Sequence, residues 1–241
     1  MNPVAFEIAG MQIRWYGIII ACGVLAAFGV TYITAKKKEL NFDIIIDGFL
    51  WSFPLAIIGA RVYYVAFEFE NYHSIWDMIN IRNGGIAIHG GLIAGLLTAY
   101  IFTRVKKVNF FEYIDVVMPG VILAQAIGRW GNFMNQEAHG GPTNLPWGIM
   151  VDGVKVHPTF LYESIWDLGI FIFLWFFRKK KKYEGQLAIT YLILYSIGRF
   201  FIEGLRTDSL MIGPLRMAQV ISLTTIIVCL ILHKILSKKK K

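Results

Sequence analysis

The residues best suited to chemistry lie close to long apolar runs. In "QLAITYLILYSIGRFFIEGLRTD" (186–208), Tyr195, Arg199 and Glu203 recur at i, i+4 and i+8. A helix therefore carries them along one face with modest drift. A stripe of phenol, guanidinium and carboxylate suits a buried polar cavity. The plainer alternative is that Glu203 simply pairs with Arg199. In "GRWGNFMNQEAHGG" (128–141), Arg129 is followed by Asn132, Asn135, Glu137 and His139. Arginine offers a planar fork that matches phosphate, and asparagine both donates and accepts. That is the chemistry of an anionic-headgroup site, although an arginine at a membrane boundary also snorkels to lipid phosphate without any site. His89, in "RNGGIAIHGGLIAGLL", stands among glycines that let a neighbouring helix or a ligand come close. Histidine titrates near neutrality and can move a proton. A lone histidine on an apolar helix also serves as a packing residue.

These residues must be positioned by a chain with an unusual balance. Mean hydropathy is +0.55 and charged residues make up 17%, against roughly 25% in soluble domains. Seven segments are apolar over lengths near the ~20 residues that a membrane helix needs: 15–35, 44–67, 86–103, 113–128, 158–177, 186–203 and 217–236. The expected fold is an all-α polytopic integral membrane protein with seven transmembrane helices. They take up most of the chain, so 1–241 reads as a single transmembrane domain. Arg129 is placed at the end of the fourth helix, with irregular backbone following it.

"MNPVAFEIAG" carries Glu7 where a signal peptide would be basic, so the first helix is expected to stay in the mature protein. Cys22 and Cys229 fall in the first and last apolar runs without C-x-x-C or zinc spacing, and read as packing residues. Glu137, His139 and His157 match no metal-binding motif, and neither metal nor cofactor is expected. Arg61, in "IIGARVYYV", is a further membrane-embedded cation, expected to pair with a carboxylate. "HPTFLYES" (157–164) reads as the start of the fifth helix, with Pro158 near the first position and Glu163 in the opening turns.

The basic residues give an orientation. The clusters "AKKKEL" (35–40), "RVKK" (104–107), "RKKKK" (178–182) and the tail after Leu232 hold two thirds of the 24 Lys and Arg. The alternate connections hold Arg82, Arg129, Lys155, Arg206 and Arg216. By the positive-inside rule the N-terminus faces outside and the C-terminus the cytoplasm, as an odd number of spans requires. The lysine runs are short loops between spans and set topology, which argues against nucleic acid as a partner. A site is then expected toward the outer side, where the connections are longer and richer in Gly, Pro, Asn, His and Trp.

Taken together, "HGG" (89–91), "GRWGNFMNQEAHGGPT" (128–143), "HPTFLYES" and "YSIGRFFIEGLRTD" (195–208) resemble the prolipoprotein diacylglyceryl transferases, and the resemblance runs from "IRWYG" (13–17) to the last helix. It implies a seven-helix enzyme of the bacterial plasma (inner) membrane. Such an enzyme moves the diacylglyceryl group of phosphatidylglycerol onto the lipobox cysteine thiol of a preprolipoprotein, the first step of lipoprotein maturation. The product is a thioether, and glycerol phosphate is released. Carried over residue by residue, the catalytic set is His89, Arg129, Arg199, Glu203, Tyr16 and Tyr195. The headgroup set is Arg129, Asn132, Glu137, Gly140 and Arg199. The expected partners are phosphatidylglycerol, lipobox signal peptides and the lipid bilayer. His89, Glu203 or the arginine field could each take the thiol proton, and His89 is the favoured base.

Two other classes compete. A transporter also places His, Arg and Glu inside a bundle, but the chain lacks a second copy of the His-Gly-Gly helix or of "GRWGNF". An intramembrane protease would show G-x-S-x-G, paired helical Asp or H-E-x-x-H, and none is present.

Overall fold

The computed structural model describes residues 2–8, 10–72, 74–81 and 84–238. Arg82 and the last three lysines, counted in the orientation argument, lie outside them. The helices are α1 (Trp15–Lys37), α2 (Phe42–Phe67), α3 (Ile75–Ile79), α4 (Ile88–Val105), α5 (Phe110–Asn135), α6 (Thr159–Phe177), α7 (Gln186–Glu203) and α8 (Met217–Lys238). Among the described residues, six of these are long and apolar enough to cross a membrane: α1, α2, α4, α5, α6 and α8. The remaining long helix, α7, carries Arg199 and Glu203.

Among the described residues, three two-stranded antiparallel hairpins punctuate the helices: β1 (Val4–Ile8) with β2 (Met11–Arg14), β3 (Ile149–Val151) with β4 (Val154–Val156), and β5 (Met211–Ile212) with β6 (Leu215–Arg216). The all-helical expectation missed them. Each turns through a glycine with positive φ, at Gly10, Gly153 and Gly213, and each is too short to carry a readable alternation.

The fourth predicted span also needs correcting. Helix α5 does not stop at Gly128 but continues to Asn135, so Arg129 and Asn132 are helical. Gln136 then adopts a left-handed conformation at φ +54°, and the Glu137 N–H closes back on the Asn132 carbonyl at 3.0 Å. That is a common way to end a helix.

The chain divides into two compact units, 1–34 with 114–241, and 35–113. In the first, Ile122, Ile170, Leu174, Leu187 and Tyr191 form a core shared by α5, α6 and α7. Tyr183, Ile189 and Cys229 form a smaller cluster that holds α8. Helix α7 is tied to α5 by Asp115, which is fully buried. Its carboxylate accepts from the Gly185 and Ala188 N–H groups at 2.9 and 3.0 Å and from Lys181 at 2.8 Å. It supplies from a neighbouring helix the acceptors that α7's own N-terminus lacks.

In the second unit α2 and α4 pack backbone to backbone. A Cβ on Gly90 would stand 2.3 Å from the Tyr63 Cβ and 2.4 Å from the Gly59 carbonyl oxygen. The glycine beside His89 therefore admits a helix. Arg61, buried on α2, pairs with no carboxylate among the described residues, contrary to the expectation. It donates to five carbonyls of the following connection: Asp77, Met78, Asn80, Gly84 and Gly85, at 2.6 to 3.1 Å. The guanidinium's five N–H groups suit a ring of carbonyls as well as an anion, which residue type alone does not reveal.

Gly90→Ala should cost about 1–3 kcal/mol through overpacking, read as a lower unfolding midpoint in detergent. Gly29→Ala, where a Cβ meets nothing within 4 Å, should be neutral or slightly stabilising.

Candidate active site

Helices α5, α6 and α7 converge on a buried ionic network. Glu163 of α6 is 4% exposed and bridges two arginines. Its Oε2 lies 2.7 Å from Arg129 Nη1, and its Oε1 accepts from Arg199 Nη1. Arg129 also donates through Nη2 to the Tyr195 hydroxyl at 3.2 Å, and its Nε stands 4.0 Å from Asp167 Oδ2. Arg199 Nη2 lies 2.7 Å from Glu203 Oε2. Glu203 is held again by Ser209, whose hydroxyl donates at 2.6 Å, and faces Arg206 at 3.9 Å. Arg206 in turn forks onto Asp208 at 3.0 and 2.6 Å. Burial pushes the Asp208 carboxyl up, but the Arg206 hydrogen bond and charge outweigh it and hold the group below the ordinary carboxylate value.

The helices approach closely enough for this because of Gly198. A Cβ there would sit 2.1 Å from Trp166 Nε1. That indole donates to the Leu194 carbonyl at 2.9 Å, locking α6 to α7 little more than a turn before Arg199. Tyr195 stacks on Tyr191 with centroids 5.9 Å apart, and Tyr191 donates to Gln125 at 2.8 Å.

One turn beyond Arg129 on α5, Asn132 Nδ2 donates to Glu137 Oε1 at 2.9 Å, and Asn135 reaches the same oxygen at 3.3 Å. The chain then docks through Gly140, whose N–H meets the His157 carbonyl at 2.9 Å and which bridges to Arg206. A Cβ at Gly140 would lie 2.7 Å from the His157 Cβ and 2.9 Å from the Leu205 carbonyl oxygen, so the loop closes only around a glycine. Tyr16 of α1 packs its ring on Gly131, where a Cβ would come within 2.7 Å of it.

The structure thus brings together Arg129, Arg199, Glu203 and Tyr195, with Asn132, Glu137, Gly140 and Tyr16 along the adjoining turns. His89 belongs to the second unit, exposed in the first turn of α4, its ring centroid 6.4 Å from that of Tyr63. Sequence reasoning missed Glu163, which it treated as helix-start chemistry, and Asp167. Those two carboxylates are spaced i, i+4 on an apolar helix, the same signal that singled out the stripe on α7.

A helical, multi-pass membrane protein with arginines and carboxylates gathered between its helices is the class that fold and site define. Residues 3–235 match the family described as prolipoprotein diacylglyceryl transferase. The phosphatidylglycerol–prolipoprotein diacylglyceryl transferase of Clostridioides difficile (strain 630) is 59% identical over all of this chain and 98% of its own length. Enzyme 1 of that name from Clostridium perfringens (strain 13 / Type A) is 56% identical over all of this chain and 97% of its own. The Finegoldia magna protein of that name is 51% identical over 97% and 95%. The chain belongs to the prolipoprotein diacylglyceryl transferase family.

Glu163→Gln leaves two buried guanidiniums around a neutral amide and should destabilise the protein by about 3 kcal/mol or more. Asp208→Asn, at a half-exposed end of the network, should cost under about 1 kcal/mol. Gly198→Ala should lower the unfolding midpoint, and adding Trp166→Phe should recover part of the loss. Equal midpoints for all of these variants would contradict the network's geometry.

Proposed function

We propose that this chain transfers the diacylglyceryl group of phosphatidylglycerol to the lipobox cysteine of a preprolipoprotein, acting as one seven-span catalytic domain. In this reading α7 joins the six apolar helices in crossing the bacterial plasma membrane. The N-terminus lies outside, the C-terminus is cytoplasmic, and the site opens toward the outer side. Family membership and the asymmetric lysine clusters support that placement.

The observation that carries the chemistry is the pair Arg129 and Arg199, drawn from different helices onto one carboxylate. Their side chains keep about a fifth of their surface exposed, at 20% and 21%, which leaves them accessible to a phosphodiester. Asn132, Glu137 and Gly140 shape the adjoining headgroup turn, and Tyr195 and Tyr16 flank it.

In the reaction, the substrate thiolate attacks C3 of the diacylglyceryl group and a C–S bond forms. The C3–O bond breaks, and its electron pair leaves with the phosphate as glycerol phosphate. Arg129 and Arg199 stabilise the charge that grows on that phosphate, an effect commonly worth two to three orders of magnitude in rate per donor lost. A thiol near pKa 8.5 must lose its proton first, and His89 is the proposed acceptor, with Glu203 or the arginine field as alternatives.

The test is transfer from labelled phosphatidylglycerol to a lipobox peptide in proteoliposomes. Arg129→Ala and Arg199→Ala should each lower kcat/KM by at least about 100-fold in protein that still folds. His89→Gln should lower kcat/KM by about 100-fold or more in protein that still folds. Folded wild type that transfers nothing would refute the assignment.

A further inference from the structure

Helices α1, α5 and α6 enclose an apolar groove of about 330 Å³, within the range of small-molecule sites. Its origin lies in how α1 seats on α5. The contacts run through Tyr16 on Gly131 and Gly23 on Ala124, where a Cβ at Gly23 would meet the Ala124 carbonyl oxygen at 3.2 Å. One step round α1, Trp15, Ile19 and Cys22 are left lining the gap, with Leu168 of α6 across it and α5 as the floor.

The polar groups in the wall are used internally. Trp130 Nε1 donates to Ser164 Oγ at 3.2 Å, and Ser164 Oγ donates to the Ala126 carbonyl at 2.8 Å. What remains for a ligand is hydrocarbon surface and the Cys22 thiol. The groove adjoins the ionic network. On α5, Ala126, Ile127 and Trp130 line it while Arg129 faces Glu163. On α6, Ser164 and Leu168 line it while Glu163 and Asp167 face the arginines. One residue is a rotation of about 100°, so headgroup chemistry and groove occupy neighbouring faces of the same two helices.

Size decides between the apolar occupants. From Trp15 and Trp130 at one end to Cys22 and Leu123 at the other is seven residues, roughly 10 Å of helix. A helical peptide about 10 Å across would need on the order of 800 Å³ over that length, far more than the groove holds. An extended hydrocarbon chain, about 4–5 Å across by van der Waals contact, needs on the order of 200 Å³. The groove's volume matches one chain and is well short of a signal-peptide helix.

We infer that this groove binds one acyl chain of the phospholipid donor while its phosphate engages Arg129. The inference rests on the proposed transfer reaction. It is tested with phosphatidylglycerol bearing a mid-chain diazirine, set against a phosphatidylcholine carrying the same chain, each irradiated with the full-length protein in proteoliposomes and mapped by peptide mass. The phosphatidylglycerol probe should label the Ile19–Cys22 and Leu123–Ile127 segments several-fold more than the phosphatidylcholine probe, and excess unlabelled phosphatidylglycerol should compete. Cys22→Trp, which fills the gap, should raise KM for phosphatidylglycerol five- to tenfold with kcat within twofold, while Gly29→Ala, on the same helix but outside the groove, should leave both unchanged. Equal labelling by the two probes would make the groove ordinary bilayer contact and overturn the inference, as would an unchanged KM in folded Cys22→Trp. Wild-type transfer to the lipobox peptide, measured in the same vesicles, separates the two claims. Selective labelling without transfer would uphold the groove and sink the reaction.

Discussion

The Glu163 carboxylate is the constraint on which the first unit is built. Two guanidiniums buried between helices would repel each other and lose their hydration, a cost of several kcal/mol per ion that only close partners offset. Placing one carboxylate between them converts repulsion into two attractions and fixes which faces of α5, α6 and α7 can meet. Ion pairs of this kind contribute little net stability compared with a well-packed apolar core. Their effect is on register, because a one-residue rotation of any of the three helices would strand a charge. Glu203, Ser209, Arg206 and Asp208 extend the same logic into the segment after α7, so loop and helix are held by one continuous set of contacts.

That register is set independently at the other end of the bundle. Asp115 sits near the start of α5 and caps α7, while Arg129 and Arg199 lie near the opposite ends of those helices. Between the two polar ties lies the Ile122, Leu174 and Leu187 core, which supplies burial but little rotational specificity. Anchoring both ends of α7 to α5 leaves the guanidinium of Arg199 small freedom to drift along the axis. The Trp166–Gly198 contact removes the remaining play sideways.

How much of this was legible follows from the range of the signal. Spans were readable because hydropathy is a local property: α7 begins and ends where the apolar run does, and α6 within a residue. The stripe Tyr195, Arg199 and Glu203 was readable because it lies within one helix. Glu163 was not weighted because its meaning depends on two other helices, and a carboxylate near a helix start has a sufficient local explanation in the helix dipole. Arg61 misled for a related reason, since a buried cation suggests an anion, and the carbonyl ring that satisfies it lies in a connection without sequence periodicity. The glycines after Arg129 suggested broken helix. Gly131 instead thins the α5 surface where the Tyr16 ring packs on it, and the helix continues beneath it.

A network already rich in carboxylates raises the question of how it could still attract a phosphodiester. The guanidinium's geometry answers it. Each terminal nitrogen carries two N–H groups, and Arg129 and Arg199 each spend terminal donors on the buried side, toward Glu163, Tyr195 and Glu203. The carboxylate side chains are nearly inaccessible, whereas the arginine side chains keep about a fifth of their surface exposed. In the proposed reading an incoming anion therefore reaches the arginines more readily than the carboxylates they engage. In that reading Glu163 acts as a mount, holding both guanidiniums against one buried carboxylate. In the proposed reaction the leaving phosphate gains charge as the C3–O bond breaks. Donors fixed in advance stabilise that change without reorganising, and a mount that binds both arginines at once is the least expensive way to fix them.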